Sequence, residues 1–172
     1  MTLLLVSWFL PWWSCNIEAL FLSNGLVVHP YGLENNMGTY TEYIPGDITK
    51  MMPGWFTPFM WVYLGLVIVA LLIGIFVTSK NVILFRRKLN LSRWLIGIVG
   101  FSYIVAIIAA YLVMYIKMGE FGMQPIGRVF ITQGGYAETW ITSSLKSGYW
   151  IACCVGPLLI ILALLRNKIM DK

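Results

Sequence analysis

Three long apolar runs, Trp55 to Ser79, Trp94 to Ile116 and Tyr149 to Leu165, contain no Asp, Glu, Lys, Arg or His. Each approaches or exceeds the roughly 20 residues that a bilayer core requires of a helix. Composition agrees, because hydrophobic residues make up 59% of the chain and charged residues 11%, against about 25% charged in a soluble domain. A chain of this kind is an integral membrane protein, with the cell membrane as its expected location.

The charges are segregated. Lys80, Arg86, Arg87, Lys88 and Arg93 lie between the second and third predicted spans, and Arg166, Lys168 and Lys172 follow the last. Short Lys/Arg-rich loops stay in the cytoplasm, so the loop 80–93 and the tail 166–172 are expected inside. By alternation, segments 14–54 and 117–148 face outward. They hold Glu18, Glu34, Glu42, Asp47, Glu120 and Glu138 against Lys50, Lys117, Arg128 and Lys146. The net charge of +5 therefore reflects topology and not nucleic-acid binding. Arg86, Arg87, Lys88 and Arg93 read as topology determinants, with contact to anionic lipid headgroups as a compatible addition worth roughly 1 kcal/mol per basic residue.

Residues 1–13 are apolar, but thirteen helical residues rise only about 20 Å. A first helix running from inside to outside is expected there, complete or truncated, with Pro11, Trp12 and Trp13 at its outer end. A basic n-region and a small-residue cleavage site, the marks of a signal peptide, are missing from this stretch. The expected architecture is thus an all-α tetraspan bundle with spans at 1–13, 55–79, 94–116 and 149–165 and both termini cytoplasmic.

The outer segments carry strand patterns. Ile17 to Leu22 and Leu26 to His29 flank Ser23, Asn24 and Gly25, where Asn-Gly is a hairpin signal. A turn at Asn35 to Gly38 precedes Thr39 to Ile44, rich in strand formers, and Pro45, Gly46 and Asp47 end it. Arg128 to Thr132 and Tyr136 to Thr142 flank Gln133, Gly134 and Gly135, a second hairpin. Five strands over the helix ends would make a small extracytoplasmic β-sheet. In layout this resembles the claudin-like tetraspan organisation. The claudin signature of Gly-Leu-Trp with two cysteines is missing, since Val27 follows Gly25 and Leu26 and Cys15 is the only outer-loop cysteine, so no functional residue is carried over.

Inside the spans, Ala70 with Gly74, and Ser102 with Ala106 and Ala110, recur every four residues and predict close helix packing, within the monomer or between copies. Gly156 and Pro157 predict a kink, because proline leaves the carbonyl of Cys153 without its donor. The chemical candidates are few. His29, the single histidine, falls in a loop beside Pro30, so an axial haem ligand within a span is not expected. Tyr103 and Ser102 are the only deep polar residues in the clear spans, which disfavours coupled ion transport. Cys153 and Cys154 lack metal-site spacing; buried thiols, lipidation or a Cys153 to Cys15 disulfide are the readings open to them. His29 with Glu18, Glu34, Glu42 and Asp47 reads as solvated loop charge. No catalytic residue, metal or cofactor is expected. The expected function is that of a non-enzymatic structural, accessory or interaction subunit, with the bilayer and another membrane protein or itself as partners. The alternative is a small subunit of a membrane enzyme or transport complex whose cofactors or ion path lie on partner chains.

Overall fold

The computed structural model describes residues 1–17, 25–36, 52–76, 81–84, 87–120, 122–131 and 139–170. In chain order the elements are α1 (Thr2–Phe9), β1 (Trp13–Ile17), β2 (Leu26–His29), β3 (Gly32–Asn35), α2 (Phe56–Phe76), β4 (Asn81–Leu84), β5 (Arg87–Asn90), α3 (Leu91–Glu120), β6 (Gly127–Ile131), β7 (Thr139–Leu145) and α4 (Ser147–Met170). Among the described residues, three helices are long and apolar enough to cross a membrane: Phe56–Phe76, Ser92–Glu120 and Ser147–Leu165.

Two of the spans outrun the apolar runs that announce them. α3 continues past Ile116 through the exposed Lys117 to Glu120 pair, whose Nζ to Oε2 distance is 2.8 Å. It stops at Gly122, where φ is +67°, a conformation that glycine adopts without a Cβ clash. The Gly122 N–H donates to the Gly119 carbonyl at 3.0 Å and the Met123 N–H to the Met118 carbonyl at 2.9 Å, the paired bonds of a Schellman C-cap. Met118 and Met123 are both buried in one apolar cluster, the hydrophobic contact that accompanies this cap.

The first predicted span is corrected. Only Thr2–Phe9 is helical, eight residues that rise about 12 Å and so do not cross a bilayer core alone. Pro11 intervenes, and Trp13 enters a strand because its backbone pairs on both sides, with Val28 and with Leu145. α1 lies against the sheet-proximal half of the bundle. Leu4, Trp8 and Trp12 join a buried core with Leu64 and Val67 of α2, Tyr103 and Ile107 of α3 and Ala152 and Val155 of α4.

The helices meet at glycines. A Cβ at Gly156 would stand 2.5 Å from Ile104 Cγ1 and 3.1 Å from the Gly100 carbonyl oxygen, and one at Gly100 would stand 3.0 Å from the Gly156 carbonyl oxygen. α3 and α4 therefore cross backbone to backbone at this pair. α4 remains helical through Pro157. On α2, Gly74 admits Ile96, with a would-be Cβ 3.1 Å from Ile96 Cγ1, and its carbonyl accepts the Ser92 hydroxyl.

At the end where α1 and α3 finish and α2 and α4 begin, an antiparallel sheet is ordered β3-β2-β1-β7-β6. β1, β2 and β3 form a meander and β6 and β7 a hairpin, and the pairing of β1 with β7 joins them across the chain. Leu26 of β2 pairs with Cys15, and residues 18–24 of the expected first hairpin lie outside the described residues. One strand, β3, was not expected. β3 follows His29 directly through Pro30 and Tyr31, with His29 opposite Gly32. The expected strand Thr39 to Ile44, the turn residues Met37 and Gly38, and Gln133 to Gly135 lie outside the described residues. At the opposite end, the basic loop holds a second, two-stranded sheet of β4 and β5.

Candidate functional site

The sheet is the most elaborated surface of the molecule, and strand alternation gives it two faces. One face carries Trp13, Cys15, Leu26 and Ile141 into a cluster with Met118 and Met123. Trp13 is fully buried and its Nε1–H donates to the Pro125 carbonyl at 2.7 Å, so the large ring is packed and its polar edge satisfied. Ser143 donates to the Gln124 carbonyl, fixing the segment that leads into β6. Burial pushes the Cys15 thiol up to about 12. It stays protonated and unreactive at neutral pH, since only the thiolate is nucleophilic.

The other face is polar and aromatic. Arg128 faces Thr142 and Phe130 faces Trp140 across the β6–β7 pair. The Arg128 guanidinium lies 4.5 Å from the Trp140 ring centroid, a cation–π arrangement. The Phe130 and Trp140 centroids are 4.8 Å apart. Both rings remain about 40% exposed. Nearer the helices, His29 is buried and stacks on Tyr31 at 5.0 Å and 24°. Its Nε2 lies 3.5 Å from Glu34 Oε1. Tyr31 in turn meets Trp61 of α2 at 5.7 Å and Phe9 of α1 at 6.2 Å. Desolvation, and after it the negative charge of Glu34, raise the Tyr31 phenol. His29 is thus not the solvated loop residue expected from the sequence. The short Pro30–Tyr31 turn folds it inward as part of a ladder that ties the sheet to two helices. His29 Nδ1 and Ser14 Oγ are buried without a hydrogen-bond partner.

Within the bundle, four hydroxyls pair in two matching relays, while the buried Trp8 Nε1–H has no hydrogen-bond partner. The Ser7 hydroxyl donates to the Leu4 carbonyl at 2.8 Å, so Tyr103, 2.9 Å away, donates to Ser7. Ser102 donates to the Val99 carbonyl at 2.9 Å, and Tyr63, 3.2 Å away, donates to Ser102. Trp12 Nε1–H donates to the Ser7 carbonyl at 2.8 Å. Each of these four hydroxyls then avoids the cost of an unmade bond in an apolar medium.

Of the packing residues read from the sequence, Ser102 is drawn into the second relay, and Ala70 and Ala110 pack partly buried against the bundle core. Ala106 is half-buried. The closest backbone approach instead uses Gly100 with Gly156, and Gly148 beneath Leu10 and Pro11. Glycine inside an apolar run was the available signal. Arg86 lies outside the described residues, Arg87 and Lys88 begin β5, and Arg93 stands half-buried in the first turn of α3. The three cysteines are thiols; Cys15 is in the sheet and Cys153 within α4. Among the described residues no three His, Cys, Asp or Glu side chains converge as a metal site would require. Comparison with family models, with curated proteins and with solved structures returns no match.

Proposed function

We propose that this chain is a non-enzymatic, multi-pass protein of the cell membrane that works as a structural or accessory subunit through its sheet. In this reading the sheet faces outward and the basic end, with the C-terminus, faces the cytoplasm. α1 then packs in the outer part of the bundle, against α2, α3 and α4. The partner is another membrane protein or a second copy of this chain.

The observation that carries the reading is the exposed Arg128, Phe130 and Trp140 cluster on a sheet that the Tyr31, Trp61 and Phe9 contacts tie to the bundle. An aromatic pair with an arginine is the composition enriched at interface cores. Aromatic side chains also support a membrane boundary between sheet and bundle. Trp55, Tyr115 and Trp150 are exposed near the sheet end and Trp94 near the other. Trp94 and Tyr115 are separated along α3 by about 32 Å of helical rise, close to a hydrocarbon core of about 30 Å.

Native mass analysis after gentle detergent extraction tests the interaction. The chain should travel as a complex, and Arg128→Ala with Trp140→Ala should release it as a monomer. A wild-type chain that travels alone would refute this role, and co-purified haem, metal or quinone would favour the enzyme-subunit alternative.

Orientation has its own measurement. Eight of the twelve basic residues, namely Lys80, Arg86, Arg87, Lys88, Arg93, Arg166, Lys168 and Lys172, lie in the sequence between the spans α2 and α3 or after the last apolar run, where positive charge is retained inside. A cysteine introduced at Asn90 should resist an impermeant thiol reagent applied to intact cells, and the Asn90-Leu91-Ser92 acceptor sequence should stay unglycosylated in a glycosylating host. Labelling or glycosylation there inverts the topology.

A further inference from the structure

We propose that two copies of this chain join edge to edge through β6, head to head, and that the joined sheet bridges two facing membranes. This rests on the interaction reading above and deepens it by naming the partner and the contact. Among the described residues β6 pairs on one side only, with β7. An edge strand offers a row of backbone N–H and C=O groups to another strand, and natural sheets commonly blunt it with lysine, proline or a bulge. Residues 127–131, Gly-Arg-Val-Phe-Ile, hold neither lysine nor proline. Their register with β7 runs uninterrupted from Gly127 to Ile131.

The strand is complementary to itself. Directly opposite residues of an antiparallel pair share a face, so a two-fold axis between identical strands must pass through a residue. An axis at Val129 uses all five residues of β6 and sets Arg128 opposite Phe130 of the second copy. Opposite side chains stand about 5 Å apart at Cβ, within reach of a cation–π contact. The Arg128 guanidinium, 4.5 Å from the Trp140 centroid, then lies between its own Trp140 and the second copy's Phe130. An axis at Arg128 would set like charges directly opposite, which is destabilising, and one at Phe130 would carry Arg128 beyond the end of the strand.

Connectivity fixes the direction. β1 follows α1 through Pro11, and β7 leads into α4, where the Gly148 N–H donates to the Pro11 carbonyl. Trp13 and Leu145 are therefore the helix-proximal ends of the β1–β7 pair, and Ile17 and Ile141 are distal. β6, antiparallel to β7, runs outward from Gly127. Met114 and Met118, about 6 Å apart along α3, both pack with the face that carries Trp13, Cys15 and Ile141. The sheet thus stands along the axis of α3 and does not lie across its tip. An antiparallel mate points its helices the opposite way, and the two bundles occupy facing bilayers.

Cross-linking in detergent tests the axis. A residue on the two-fold meets itself, so Val129→Cys should form a disulfide-linked dimer on mild oxidation. The wild-type chain, with its three native thiols, and Arg128→Cys should stay unlinked, while chains carrying Arg128→Cys mixed with chains carrying Phe130→Cys should link to each other. Val129→Lys sets two like charges at the axis and should abolish the native dimer, with the amides of Cys15 and Ile141 keeping their exchange protection as proof of a folded sheet. Liposomes carrying the wild-type chain should aggregate, read as turbidity, and those carrying Val129→Lys should stay dispersed. A complex holding one copy, a dimer that survives Val129→Lys, or no link through Val129→Cys would each overturn the edge contact and leave the interaction reading standing. A monomeric wild-type chain would overturn both. Dimers linked at position 129 in liposomes that remain dispersed would overturn the facing arrangement.

Discussion

Alanine in place of Gly148 should loosen the seat of α1 on the bundle. The added Cβ would stand 2.6 Å from the Leu10 carbonyl oxygen and 2.7 Å from that of Pro11, and the Gly148 N–H already donates to the Pro11 carbonyl at 3.1 Å. Backbone atoms cannot turn aside as a flexible side chain can. Overpacking costs typically about 1 to 3 kcal/mol, and the rigid neighbours put this site at the upper end. For a chain of this size, about 3 kcal/mol lowers a thermal midpoint by about 6 to 12 °C. Thermal unfolding in detergent followed by near-ultraviolet circular dichroism reads the effect. An unchanged midpoint would mean that α1 is not seated where Leu10 and Pro11 place it.

Truncating Trp13 to alanine should separate the sheet from the membrane spans. The ring is fully buried between β1 and α3, and loss of a buried tryptophan costs about 3 to 5 kcal/mol. It also removes the donor to the Pro125 carbonyl, leaving an acceptor that held the approach to β6. Apart from Met114 and Met118 near the end of α3, the apolar spans contain none of these contacts. Hydrogen exchange should therefore rise in β1 and β7 while the amides of α2, α3 and α4 keep their protection. Equal loss in both regions would show that the sheet and the bundle unfold as one unit.

The three spans were legible because a bilayer demands a long uncharged run and few other folds do. Their ends were less so. Lys117 and Glu120 look like the start of a loop, yet α3 carries them outward to reach Met123 beneath the sheet. The Gly-Leu-Glu-Asn sequence of β3 has little strand propensity. It forms a strand because Pro30 and Tyr31 return the chain alongside β2. β1 was hidden for a different reason. Its alternation of Trp13 and Cys15 against Ser14 and Asn16 directly continues the apolar run of α1, and a period of two beginning inside a helix-like composition is hard to separate from it. The small residues Ala106 and Ala110 have helix-packing spacing, but spacing alone does not identify the tightest crossing. Gly100 and Gly156 are paired by the antiparallel register of α3 and α4, which neither run contains by itself. The polar relays are equally non-local: Ser7 finds Tyr103 across most of the chain.

The pairing of β1 with β7 also imposes an order on synthesis. β1 leaves the ribosome early and waits while α2, the basic hairpin and α3 are made, because its partner strand immediately precedes α4. At about 5 to 20 residues per second, the interval between the two strands lasts on the order of ten seconds. During it β1 has a free edge, and the Trp13 ring lacks both Ile141 beside it and the Pro125 carbonyl that receives its indole proton. Completion of the sheet is thus tied to delivery of the last span, and a nascent chain stalled before β7 would present an open strand edge to its neighbours.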